Sequence, residues 1–206
     1  MGASLEPSPP SIMRSFVFTT LVALSLIACS TAQDVQVYNF EGPRRASNVV
    51  LFGQDMAAGI TVVHGAPIWK NQYDDMLGML KGKTHRLGKD LWTTFMTSAP
   101  VKIGGVSIAP GCYCVGLRCD KDGKFSLPMI DATQAMKKGL MPFGPQRWKP
   151  ALSVPLNFEK GASDDVISKM RIDLLGDKKD KMKARFQILW GTHRLSAPMQ
   201  IQAPQK

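Results

Sequence analysis

Histidine and cysteine are scarce in this chain, three and four residues among 206, and neither set is spaced for a metal. Cys112, Cys114 and Cys119 make a C-x-C-x4-C run, but the paired fourth ligand of a structural zinc site is missing. On an extended strand Cys112 and Cys114 share one face and Cys119 lies on the other. They read as small buried or half-buried thiols. With Cys29 set apart, three is an odd number, so no complete disulfide set forms without an outside partner. His64, His85 and His193 show no H-x-H or H-x-x-x-H spacing. His64 ends a strand-like run and His193 begins one, which places both on a rim as hydrogen-bonded structural residues.

The motifs of common chemistries are missing as well. There is no G-x-S-x-G, no G-x-x-x-x-G-K-[ST] and no H-E-x-x-H. The adjacent acids, Asp74-Asp75 and Asp164-Asp165, sit in polar stretches where carboxylates serve turns rather than acid–base catalysis. No catalytic residue, metal or cofactor is implied. Acidic residues are in deficit, 16 against 26 Lys and Arg, for a formal net charge of +10. Such a surface favours anionic partners. No aromatic-basic stacking pattern appears, which removes nucleic acid from that class. A run of about 20 apolar residues, the length of a membrane helix, is absent too.

What is present begins with a leader. Arg14 precedes the apolar run Phe16 to Ala28, closed by Cys29-Ser-Thr-Ala-Gln, the build of a secretory signal peptide over residues 1–28. Met13 offers a second start, which would make the Pro-rich stretch 1–12 an extension. Two cleavage sites compete. Leu26-Ile-Ala-Cys29 resembles the bacterial lipobox, in which the cysteine becomes the acylated first residue, and Cys29 is then the lipid attachment site. Ser30-Thr31-Ala32 before Gln33 is an ordinary small-x-small site. Several acyl chains together anchor a protein stably. The expected place is therefore the cell envelope, as a lipoprotein, or the periplasm or exterior as a released protein.

Residues 29–56 read as an N-terminal segment with short strands, Val35 to Phe40 and Asn48 to Phe52, broken at Gly42-Pro43-Arg44-Arg45. Residues 57–201 read as one domain. Ile60 to His64 is β-branched and strand-like, and Asp74 to Leu80 has room for one helical turn. From Lys89 to Ile130, Gly-Gly, Pro-Gly and Asp-Gly punctuate consecutive strands. Tyr113, Val115, Leu117 and Cys119 share one face, and Phe125, Leu127 and Met129 alternate with Lys124, Ser126 and Pro128. Asp131 caps a short helix that Gly139 ends, and a Pro/Gly loop follows from Met141 to Pro150.

The last third alternates most cleanly, with Leu152, Val154, Leu156 and Phe158 on one face and Met170, Ile172 and Leu174 on another. Phe186, Ile188 and Trp190 then form a third, and Leu195, Ala197, Met199 and Ile201 a fourth. The basic run Asp177 to Arg185 reads as a solvated hairpin tip. The expected fold is an all-β, antiparallel two-sheet β-sandwich of jelly-roll or Greek-key type with one short helix. Tyr113, Leu117, Phe125, Leu127, Phe186, Ile188 and Trp190 are its expected core.

The most distinctive polar constellation is Lys83-Thr-His85-Arg86-Leu-Gly-Lys89-Asp90-Leu-Trp92. His85, Arg86, Lys89 and Trp92 form the candidate ligand site: an indole stacks on a sugar face and the cations clamp an anion. The competing reading makes Trp92 a core anchor and the cations a wet rim.

Four stretches carry a family resemblance: Gly65-Ala66-Pro67 with Trp69; Arg86-Leu87-Gly88-Lys89-Asp90; Ile108-Ala-Pro-Gly111-Cys-Tyr113; and Trp190-Gly191 followed by Leu195-Ser196-Ala197-Pro198. In order and spacing, over roughly Ala57 to Ile201, the chain resembles the bacterial family catalogued as domain of unknown function 2911. The resemblance implies an exported, β-rich protein without an assigned activity. Arg86-Leu-Gly-Lys-Asp90 departs from the family's commoner R-x-G-A-N-E. Two function classes follow from the sequence. One is a non-enzymatic envelope module that binds an anionic or glycan partner. The other is a hydrolase-like enzyme whose His and Asp residues, His64 or His193 among them, converge only on folding.

Overall fold

The computed structural model describes residues 44–52, 57–180 and 182–202. The leader, Cys29 and the strand expected over Val35 to Phe40 lie outside the described residues. The rest folds as twelve antiparallel strands: β1 (Arg44–Phe52), β2 (Ala57–Gly65), β3 (Lys83–Arg86), β4 (Thr93–Thr97), β5 (Val101–Ile103) and β6 (Val106–Ile108) come first. They are followed by β7 (Gly111–Cys119), β8 (Phe125–Asp131), β9 (Leu152–Glu159), β10 (Ile167–Gly176), β11 (Lys183–Gly191) and β12 (His193–Ile201). The helices are short, α1 (Met76–Leu80) and α2 (Ala132–Lys137), the second capped by Asp131, whose carboxylate accepts from the Gln134 amide at 2.9 Å.

Neighbouring strands run β1-β2-β4-β7-β8-β9-β12-β11-β10, so the two leaves of the expected sandwich are continuous where β9 meets β12. The hairpins β10–β11–β12 and the return of β12 beside β9 give a Greek key. Two strands have divided neighbours. β7 pairs with β4 over its first half and β3 over its second, and β12 pairs with β9 and then with β5. At the far side β1 comes beside β10, where the Leu174 amide donates to Ser47 Oγ at 3.0 Å. The sheet thus curls into a flattened, barrel-like sandwich. β1 pairs with β2 along its whole length, so the sandwich reaches back past Ala57 to Arg44.

The period-2 faces set the packing. Leu117, Phe125, Leu127, Phe186 and Ile188 are buried in one core with Val154, Ile172 and Met199, and Tyr113 and Trp190 pack partly buried against it. Cys119 belongs to this core, whereas Cys114 faces the other side of β7, in a second cluster with Ile130, Ala135 and Trp148. That opposite parity keeps Cys119 apart from Cys112 and Cys114, and all three are free thiols. Burial pushes the Cys114 thiol up to about 11, which leaves it protonated and unreactive at neutral pH.

The histidines correct the reading made from strand ends. His64 and His193 are buried, at 1% and 4% exposure, rather than on a rim. His64 follows Ile60 and Val62 on the inward face of β2, and His193 faces Trp190 across the β11–β12 register.

Phe186 is 2% exposed in the centre of the main core. Phe186→Ala removes an aromatic ring from a close-packed site and is expected to cost about 3–5 kcal/mol of stability. Urea denaturation at constant m reads it, and a loss below about 1 kcal/mol contradicts this packing.

Candidate functional site

One end of the sandwich is open between its leaves. There a cleft of about 510 Å³ is floored by Leu117 of β7, Met170 of β10, Ile188 of β11 and Leu195 of β12. Its volume falls in the range of small-molecule sites, about 300–1,000 Å³. Two irregular segments and one short strand wall it.

The first wall is the segment after β2. Pro67 to Trp69 lies along β10 as a short extra edge: Trp69 N donates to Ser168 O at 2.7 Å, and Met170 N to Pro67 O at 3.1 Å. A turn at Asn71–Tyr73 and helix α1 then bring Tyr73, Met76, Met79 and Leu80 to the cleft. An aromatic cluster fixes this wall. The Trp69 ring stands edge-on to Trp190 at 5.0 Å and to His193 at 5.4 Å, and Tyr73 lies 4.8 Å from Trp190. Trp190 Nε1 donates to Pro67 O at 3.0 Å. Gly191 has a φ of 62°, and a Cβ there would overlap the Trp69 ring. Only glycine meets both demands.

The second wall is the Pro/Gly loop after α2, which contributes Pro142, Phe143 and Pro145. Trp148 pins it, donating from Nε1 to Met141 O at 3.0 Å and lying across Gly116, where a Cβ would run into the indole. Between the two walls runs β3 with the turn that follows it. Leu87, 1% exposed, anchors that turn in the core, and its carbonyl accepts from Thr93 Oγ1 at 2.6 Å. Asp90 takes a left-handed φ of 65°, and Lys89 N donates to Gly65 O at 3.2 Å. The stretch Arg86 to Asp90 is thus chiefly architectural. It ends β3 so that His85 and Arg86 line the cleft.

The candidate residues therefore separate. His85 and Arg86 come together at the cleft, while Trp92 stacks on Trp148 at 4.7 Å in the second cluster and Lys89 pairs loosely with Asp90 at 3.7 Å. Tyr73, Phe143 and the rest of the apolar lining had no signal in the sequence as a site, and His193, expected on a rim or in a His/Asp site, stands in the cleft wall instead. Trp69 and Trp190-Gly191 had stood out as residues, but nothing in their spacing told that they hold a wall.

The chemistry of the cleft is mostly apolar with a few polar atoms. Arg86 is the one Lys or Arg among its described lining residues, and no Asp or Glu lines it. The Arg86 guanidinium carbon lies 4.8 Å from the centre of the Phe143 ring. Burial, with Lys83 and Arg86 adding to it, holds the His85 imidazole below its usual range and so neutral. His193 Nε2 lies 3.3 Å from the Asp74 carbonyl and donates to it, which leaves Nδ1 buried and unpartnered. Among the described residues no three His, Cys, Asp or Glu converge as metal ligands. No helix among them is long and apolar enough to cross a membrane.

A second concavity, of about 910 Å³, lies over the outer side of β11 and β12. Two of its cations are already paired, Arg194 with Glu159 and Lys183 with Asp180. No family model matches the chain, and neither a curated protein nor a solved structure does. The site is therefore read from its own geometry.

His64 gives this fold a pH dependence. Its imidazole is buried, burial is the chief cause holding its pKa below 6.5, and Arg45 and Arg44 add to that. The unfolded chain takes the proton near 6.5 while the folded chain resists it, so stability is full above that pH and falls as pH drops through it. Tm is expected to decline from pH 7.5 to 5.5, by less in His64→Leu, where Gly65 O still accepts from Lys89 N. Equal slopes in the two proteins would remove His64 as the source.

Proposed function

We propose that this chain is a non-enzymatic binding module, exported and held at the cell envelope through acylated Cys29. Its cleft beside His85 and Arg86 receives an anionic ligand. The observation that carries the reading is a largely apolar concavity whose described lining has one arginine and no carboxylate. The +10 net charge agrees, because it draws anions to the surface before any contact forms. The likeness to the domain of unknown function 2911 family belongs to this proposal, through the export and β-rich fold it implies.

A glycan fits the cleft less well. Sugar hydroxyls need many hydrogen-bonding partners, the walls are chiefly Met, Leu, Pro and Phe, and Trp92 is engaged by Trp148. The hydrolase alternative needs paired titratable groups in one pocket. The hydrogen bonds of His64 and His193 go instead to the backbone carbonyls of Gly65 and Asp74.

Anilinonaphthalene sulfonate, an apolar anion that fluoresces when shielded from water, tests the cleft. The native chain is expected to bind it at a single site, and Met79→Trp, which places an indole in the rim, to weaken it about tenfold, or about 1.4 kcal/mol. Identical titrations would contradict the reading. Labelled fatty acid supplied to cells tests the anchor: it is expected in the native chain and not in Cys29→Ala. Equal label in both rules out Cys29 as the attachment point.

A further inference from the structure

Resting on the cleft as a binding site, we infer its ligand class: an acyl-chain amphiphile with one acidic head, carboxylate or phosphate. The tail lies against Met76, Met170, Ile188 and Leu195, and the head takes the Arg86 guanidinium from the Phe143 ring.

The tail follows from the floor and walls. Met76, Met79 and Met170 are unbranched and polarizable, so they adapt to a flexible chain better than branched residues do. The mouth is apolar too. Met79 is 40% and Phe143 49% exposed, and Ile68 and Met141, next to the lining residues Pro67 and Pro142, are exposed as well. A polar ligand would not need such a rim, whereas an amphiphile crosses it with its tail still covered.

The head follows from Arg86. Among the described residues its guanidinium has no carboxylate within ion-pair reach, and it lies over the face of Phe143. A cation–π contact at a half-exposed rim is weak beside a charge-assisted, bidentate pair with a carboxylate or phosphate. The ring therefore parks the arm where an incoming acid can recruit it. Phe143 is held there by the loop that Trp148 pins, and Arg86 by a strand that ends on buried Leu87. One cation in the lining suits one acidic head and leaves a polyanion unmatched.

The experiment uses the full chain and the fluorescent polyene fatty acid cis-parinaric acid, with its methyl ester as the neutral twin. The acid is expected to bind at least about tenfold tighter than the ester. Arg86→Gln should bring the acid to the level of the ester and leave the ester unchanged, which also reports an intact cleft. Arg86→Lys keeps the charge but loses the fork, so its preference should fall between the two; it decides the matter if the Gln variant loses ester binding as well. Displacement by dodecanoate or by dodecyl phosphate, each against dodecanol, identifies the head, and a tenfold advantage for either acid supports the inference. Equal binding of acid and ester, or a preference that survives Arg86→Gln, overturns it while the cleft stands. If neither acid nor ester binds the native chain, the cleft reading falls with it.

Discussion

The cleft depends on the Trp69 ring lying against the bare Cα of Gly191. That contact joins an irregular segment, which has no ladder of its own, to the hairpin of β11 and β12. Tyr73, Trp190 and His193 complete the cluster, and Trp190 ties it down by donating to the Pro67 carbonyl. Aromatic pairs in this edge-on geometry add to simple burial. Apart from the cluster, the wall from Pro67 to Leu80 is held by backbone hydrogen bonds to β10 and by Met76, buried in the main core. The opposite wall repeats the device: Trp148 lies over Gly116 and carries the loop of Phe143. Two tryptophans, each seated on a strand glycine, hold the mouth open between the leaves of the sheet.

Closure itself limits where a ligand can go. The sheet curls until β1 meets β10, and the middle is filled by close-packed side chains. With the interior filled by side chains, the room for a ligand lies at an end, where irregular segments replace strands. The cleft occupies that position. Its charge pattern also differs from the outer groove, where Arg194 and Lys183 have carboxylate partners and where Glu159 and Asp177 share the lining with Lys102 and Arg185. Arg86 is set against an aromatic face and, among the described residues, has no carboxylate within ion-pair reach.

The strands were legible because their alternation is local. Leu117, Phe125, Leu127, Phe186 and Ile188 announce an inward face by counting twos, and each is buried. The same count from Ile60 through Val62 reaches His64, so its burial was legible and was passed over in favour of its place at a strand end. The site was legible only in part. Lys83 to Trp92 suggested one cluster because the residues are consecutive. The left-handed turn at Asp90 instead separates His85 and Arg86 from Trp92. The walls were legible only as a helical turn near Asp74 to Leu80 and a Pro/Gly loop from Met141. Trp69, Met76 and Phe143 sit in stretches without period, so their convergence on one cleft depends on packing against distant strands.

Methyl carbons of methionine report most directly on whether this mouth is a ligand site. With labelled methionine methyls and an apolar anion such as dodecanoate added stepwise, the account expects saturable shifts at Met76, Met79 and Met170, which line the cleft. Met96, Met182 and Met199, outside it, should hold still. Shifts spread over both groups, or found only at the exposed methyls of Met136 and Met182, would contradict it.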